Sequence, residues 1–274
     1  VTVEQGRAVR QPVVAGTFYP ADPAALAATV DRLVDAVDVP AGERLAPAYV
    51  VPHAGYRYSG PIAAQVYARL REHAAQVERI VLVGPAHRMA LTGAAVPLAN
   101  RWRTALGDVE IDVDNARRLA TSGLAAVSDV PHGREHSLEV QLPFLQRVLG
   151  RRRVPALLPV CIGRSTVEDA AAVIDAAAGD GTVVLCSTDL SHYLTHAQAQ
   201  ERDGRTAEAI VELEPERIGV RDACGVFALR GLLGWARARR LVATMLDLRT
   251  SADTAGSPDR VVGYCATALG QYAA

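Results

Sequence analysis

Three apolar runs of this sequence stop at polar, titratable groups. VVPHAG (50–55) delivers His53, VLVGPAH (81–87) delivers His87, and LCSTDLSH (185–192) delivers Asp189 and His192. A single histidine at the tip of a strand reads as a ring bonded to a carbonyl; three of them are not explained by packing. Neutral imidazole is the commonest metal ligand, and two histidines completed by one thiolate or carboxylate make a minimal site for a first-row metal. Cys224, in RDACGVF just ahead of an apolar helical pattern, supplies a thiol near a helix N-terminus, where thiolate is favoured. Asp222 is the competing carboxylate, though it could equally cap that helix. Asp189 and His192, three residues apart, suit an acid/base pair.

The segment HGREHSLE (132–139) adds Glu135 and His136 as residues supporting the pocket, and Tyr56, Tyr58 and Trp102 are placed near its mouth. His132/His136 and His192/His196 have the i,i+4 spacing of zinc helices but lack the glutamate of HExxH, which argues against a metalloprotease. His73 and His196 read as surface residues. Cys161, Cys186 and Cys265 read as inert core thiols, since free cysteine behaves as a small apolar side chain. No Gly-rich dinucleotide fingerprint, phosphate loop or GxSxG elbow is present in the sequence.

The elements that must carry these residues alternate. Strand-like runs at 48–52, 79–85, 156–163, 182–189, 241–248 and 261–269 are interleaved with helical patterns at 22–37, 61–73, 115–123, 135–150, 166–179, 201–213 and 224–240. Asp22 and Pro23 are placed as N-cap and first helical residue. Pro143 requires the 135–150 helix to start late or to kink. The expectation is an α/β fold: a single three-layer αβα domain with a mostly parallel central sheet, ligands gathering at the carboxyl ends of its strands.

With 274 residues and a formal charge of -1, the chain can bury a sizeable core and offers no basic stripe for nucleic acid. The run Arg151 to Arg153 reads as a solvated loop. No apolar stretch approaches the roughly 18–20 residues a membrane span needs, and residues 1–12 carry no secretory apolar core. A cytoplasmic protein without nucleic-acid or membrane partners is expected.

AGTFYP (15–20), PHAGYRYSG (52–60), GPAHR (84–88), EHSLEVQLPFL (135–145), STDLSHY (187–193), the Cys224-Gly225 pair and VVGYCA (261–266) together resemble the Memo family, including its members called AmmeMemoRadiSam system protein B. The resemblance runs from about Pro12 to Leu269, within one domain spanning 1–274. It implies a fold similar to class III extradiol dioxygenases, with His53, His87 and Cys224 as metal ligands and Asp189 and His192 in the same pocket, His192 at the acid/base position. Fe(II) is the expected metal, with Cu or Zn as alternatives, and the implied activity is that of a non-haem iron oxidoreductase acting on a small, catechol-like aromatic substrate. A non-catalytic metal- or peptide-binding protein is the alternative, and a zinc hydrolase a weaker one. The family also implies functional association with radical-SAM and AMMECR-type proteins. Ala86 and Ala105 stand where Ser and Pro are common in the family, and neither change removes a presumed ligand.

Overall fold

The computed structural model of the chain describes residues 9–150 and 156–270. The arginine run 151–153 lies outside the described residues. The first half carries β1 (Val9–Arg10), α1 (Pro23–Asp35), β2 (Ala48–Val51), α2 (Tyr56–Glu72), β3 (Arg79–Gly84), β4 (Ala94–Val96), β5 (Arg101–Thr104), β6 (Gly107–Glu110), α3 (Val113–Thr121), β7 (Ala126–Val127), α4 (Val130–Gly133) and α5 (Leu142–Leu149). The second half carries β8 (Ala156–Ile162), α6 (Val167–Ala177), β9 (Thr182–Ser187), β10 (His192–Leu194), α7 (His196–Val211), α8 (Val226–Ala238), β11 (Val242–Thr250) and β12 (Val261–Gly270).

Nine of the described strands form one sheet in the order β10-β12-β2-β9-β3-β8-β4-β7, with β11 also paired to β12. The expected parallel sheet is its centre, where β2, β9, β3 and β8 run side by side. The wings are mixed: β12 is antiparallel to β2, β10 and β11, and β4 is antiparallel to β8. Antiparallel neighbours such as β11 and β12 need only a short connection, whereas each parallel neighbour needs a crossover.

Side chains alternate across the central strands and divide the core in two. Tyr49 and Val51 of β2, Ile80 and Leu82 of β3, and Val183 and Leu185 of β9 pack with α1, α2 and α5. Their neighbours Ala48, Val50, Val81, Val83, Val184 and Cys186 pack with α3, α6, α7 and α8. Both faces are covered, which is why these strands read as continuous apolar runs.

Local signals set most helix boundaries. Asp22 accepts from Ala25 N at 2.8 Å with Pro23 opening α1, as its capping pattern predicts. α5 starts late, at Leu142, with Pro143 in its first turn. α7 starts at His196, earlier than its apolar pattern suggests, because Thr195 and Gln198 form a capping box. α2 also begins early, at Tyr56, and carries Pro61 inside the helix. Its first turn is secured from outside: Tyr56 N donates to Phe18 O at 2.8 Å, and the Tyr56 hydroxyl donates to Val140 O at 2.7 Å.

A separate three-stranded sheet, β1-β5-β6, lies in a stretch whose Gly/Pro punctuation hides its hairpin. It positions Arg10, which donates to Glu139 Oε2 at 2.7 Å and lies over the Trp102 ring at 4.5 Å. Buried Glu139 also accepts from Val13 N, Val14 N and the Tyr19 hydroxyl, so the AGTFYP loop is bound to the segment carrying Glu135 and His136. Among the described residues no helix is long and apolar enough to cross a membrane.

Candidate metal centre

The site lies where the parallel strands end, at the edge of the sheet where α/β folds gather their ligands. β2 leads to His53 and β3 to His87, but these strands are not neighbours: β9 runs between them and leads to Asp189. Asp189 Oδ1 accepts from His53 N at 2.7 Å, which ties the two strand ends together.

His53 is held in one tautomer. Its Nδ1 lies 2.9 Å from Ser187 Oγ, and the Ser187 hydroxyl donates to Ser137 O at 2.7 Å. That proton being committed, Ser187 accepts from His53 Nδ1–H, and the lone pair is on Nε2. Gln141 donates to the same Ser187 Oγ and to Pro52 O, both at 2.9 Å, while its own oxygen accepts from the Tyr67 hydroxyl at 2.6 Å. Burial first, and then the neighbouring His87 and His136, hold the His53 ring well below the ordinary histidine pKa. It is neutral at pH 7 and able to ligate.

Glu135 performs the equivalent task for His87. The carboxylate accepts from His87 N at 2.5 Å and from His87 Nδ1–H at 2.9 Å, and Ser137 N donates to it at 2.8 Å. Burial acts to raise this carboxyl, but the hydrogen bonds from His87 and Ser137 outweigh it and the net shift is downward. The carboxylate–histidine pair orients His87 with Nε2 unencumbered, the arrangement that supports metal-bound imidazoles. Gly84 makes the packing possible: a Cβ there would lie 2.8 Å from Leu138 Cδ2.

His136 completes a group. Ligand atoms of His53, His87 and His136 all lie within 4.8 Å of one another. The His136 ring stacks on His87 at 4.8 Å between centroids, meets Phe18 edge-on at 4.9 Å, and is held down to about 4, chiefly by burial. Its Nδ1 is buried without a hydrogen-bond partner and lies 3.5 Å from Glu135 Oε1. A buried, unpartnered nitrogen beside two imidazoles with free lone pairs fits a bound cation better than an empty core.

Cys224 stands beside this group, its Sγ 3.2 Å from His53 Nε2 and accepting from Asp189 N at 3.3 Å. Two donors on one ion, with bonds of about 2.0 Å to nitrogen and about 2.3 Å to sulfur, lie roughly 3.5 Å apart at a tetrahedral angle. Burial, and after it the Asp189 carboxyl, pushes the free thiol up. Metal binding therefore requires the thiol to lose its proton. Gly225 lets the segment dock, since a Cβ there would lie 2.9 Å from Thr188 Cβ and 3.1 Å from Ser187 O.

Asp189 is buried and raised to about 6, mainly by that burial. His192 donates Nδ1–H to Leu190 O at 2.9 Å, which leaves Nε2 as the basic nitrogen. A fourth imidazole and a buried carboxyl thus stand beside the cluster.

Other sequence candidates fall elsewhere. His132 Nε2 bonds Ala95 O and its Nδ1 meets Cys161 Sγ, so the ring is a satisfied core residue and its spacing to His136 is incidental. His196 pairs with Thr250 and His73 with Glu43 O. Asp222 turns to Gly219 N at 2.7 Å, away from the role of ligand. Cys161, Cys186 and Cys265 are buried. Tyr56 and Trp102 do not form a pocket mouth: Tyr56 packs against Tyr19 and Phe144, and Trp102 is fully buried against His132. Ser187 and Gln141, which hold His53, carry no sequence signal beyond their place in the STDLSH and EHSLEVQ motifs.

A family model described as Memo-like protein matches residues 10–268. A MEMO1 family protein of Methanopyrus kandleri is 36% identical, the match covering 94% of this chain and 97% of the relative. One from Methanococcoides burtonii is 34% identical over 94% of this chain and 98% of its own length. One from Ignicoccus hospitalis is 36% identical over 94% and 97%.

Proposed function

This chain belongs to the Memo family, and from that premise we propose that it is a metal-dependent oxidoreductase holding one first-row ion, Fe(II) in the working protein. His53, His87 and Cys224 are the ligands, with His136 directed at the same point. The observation that carries this reading is the convergence of three imidazoles within 4.8 Å, with the Cys224 thiol 3.2 Å from His53 Nε2. Imidazole suits iron, copper and zinc alike, while the thiolate biases the site toward softer or borderline ions.

When bound, such a metal supplies redox capacity and Lewis acidity. The rest of the chemistry falls to the chain's own residues. Glu135 and Ser187 fix the ligand rings, so little reorganisation is needed on binding. His192 Nε2 takes a proton from the hydroxyl of a catechol-like substrate, with its Nδ1–H anchored on Leu190 O. Asp189, held by the His53 amide, stabilises the imidazolium that results.

Metal content of anaerobically purified protein tests the proposal, beside alanine variants of His53, His87, Cys224 and His136. Near-stoichiometric iron, lost in the His53, His87 and Cys224 variants, together with oxygen consumption that depends on His192, is the expected result. Protein that stays metal-free after loading with Fe(II), Zn(II) and Cu would overturn it.

A further inference from the structure

Tyr193 follows His192 directly and is the one residue of β10 that breaks register with β12, whose ladder shifts between His192 and Leu194. Its φ is 63°, a left-handed conformation that a bulky side chain adopts at a cost. Nothing apolar rewards it, for the residue remains 64% exposed. A bulge beside a candidate catalytic residue is a device for re-aiming a side chain. Here it sets the Tyr193 ring edge-on to His192, with centroids 5.6 Å apart.

The other observation is the cation placed on that ring. The Arg260 guanidinium lies 4.3 Å from the Tyr193 centroid. Among the described residues Arg260 has no carboxylate partner, and its neighbour Asp259 is turned to Ser257 Oγ at 3.0 Å. Other surface arginines divide: Arg147 pairs with Asp31 and Arg237 with Glu216, whereas Arg57 and Arg134 have no carboxylate partner among the described residues, so what distinguishes Arg260 is its seat on the ring beside His192. Arg88, one residue beyond His87, is likewise without a carboxylate partner among the described residues. The acids at the site are already engaged, Glu135 by His87 and Asp189 by the His53 amide.

We infer that Tyr193 and Arg260 form an anion anchor at the rim of the pocket, so that the substrate is a small molecule carrying a carboxylate, its reactive end at the imidazole cluster. This rests on the metal-pocket reading above. A guanidinium presents a planar fork that matches a carboxylate with two parallel hydrogen bonds, and the aromatic face beneath Arg260 holds that fork in place before the ligand arrives. The strained backbone at Tyr193 is then the cost of putting an aromatic platform between the anchor and His192.

The test is calorimetric titration of the Fe(II)-loaded protein under argon with catechol and with protocatechuate, the catechol bearing a ring carboxylate. Protocatechuate is expected to bind about tenfold or more tightly, the scale of one charge-assisted pair. Arg260→Gln and Tyr193→Gly should abolish that preference while leaving catechol affinity unchanged; both residues are exposed, and glycine relieves the backbone strain, so the fold is retained. Equal affinities in the unmodified protein, or a preference that survives in Arg260→Gln, would overturn the anchor and leave the metal pocket standing. If neither compound binds, the catechol-binding reading of the pocket falls, and the anchor with it.

Discussion

Replacing Glu135 with Gln removes one charge from the site while keeping the shape of the side chain. In the native protein one carboxylate receives three donors: His87 N at 2.5 Å, His87 Nδ1–H at 2.9 Å and Ser137 N at 2.8 Å. A glutamine oxygen in the Oε1 position keeps the ring and Ser137, but its NH2 then faces the His87 N–H. One partly buried donor loses its acceptor, at about 1 kcal/mol of folding stability, the low end of the cost of an unmade hydrogen bond. The His87 ring also loses its charged partner, and loss of such a partner typically lowers metal affinity by about 10–100-fold. That corresponds to about 1.4–2.7 kcal/mol of binding free energy. Metal affinity measured by competition with a chelator, beside urea unfolding of the metal-free protein, separates the two effects. Folded Glu135→Gln protein that binds metal as tightly as the unmodified chain would refute the argument that this carboxylate orients a ligand.

Two further perturbations address the scaffold. Arg10→Met leaves the Glu139 carboxylate buried without its cation, and a stability loss of about 3–5 kcal/mol in urea unfolding is expected; a loss below about 1 kcal/mol would show that the ion pair is not what binds the N-terminal loop. Acid should weaken the metal-free fold through His132, which burial holds down to about 4 from an ordinary 6.5. The unfolded chain binds this proton first, so the full stability is present above pH 6.5 and falls as pH drops toward 4, by up to about 3 kcal/mol. Burial holds His53 and His136 down as well, so the pH dependence of urea midpoints across that range should become shallower in His132→Gln without vanishing, and an unchanged slope would contradict the assignment.

The candidate ligands were legible in the sequence because each sits at a boundary that sequence encodes locally. An apolar run long enough for a buried strand, ended by Gly or Pro, places His53, His87 and Asp189 at strand tips whatever the sheet order. The alternation of strands and helices likewise implies a covered sheet, and the capping residues of α1 and the late start of α5 are local effects of Asp22 and Pro143. Strand order was not legible, and it decides that β9 lies between β2 and β3, bringing Asp189 against the His53 amide. Only the packed chain brings Glu135 to His87, Ser187 to His53 and Cys224 to His53, pairs far apart in sequence. The same holds for what left the site: Tyr56 and Trp102 have the composition of a pocket mouth, yet the AGTFYP loop and Arg10 bury them. Residue type and local periodicity specify which groups can do chemistry and which element ends on them. Distance between groups separated along the chain is set by packing, and at this site it determines which nitrogen carries a proton, which carboxylate holds which ring, and which histidines converge.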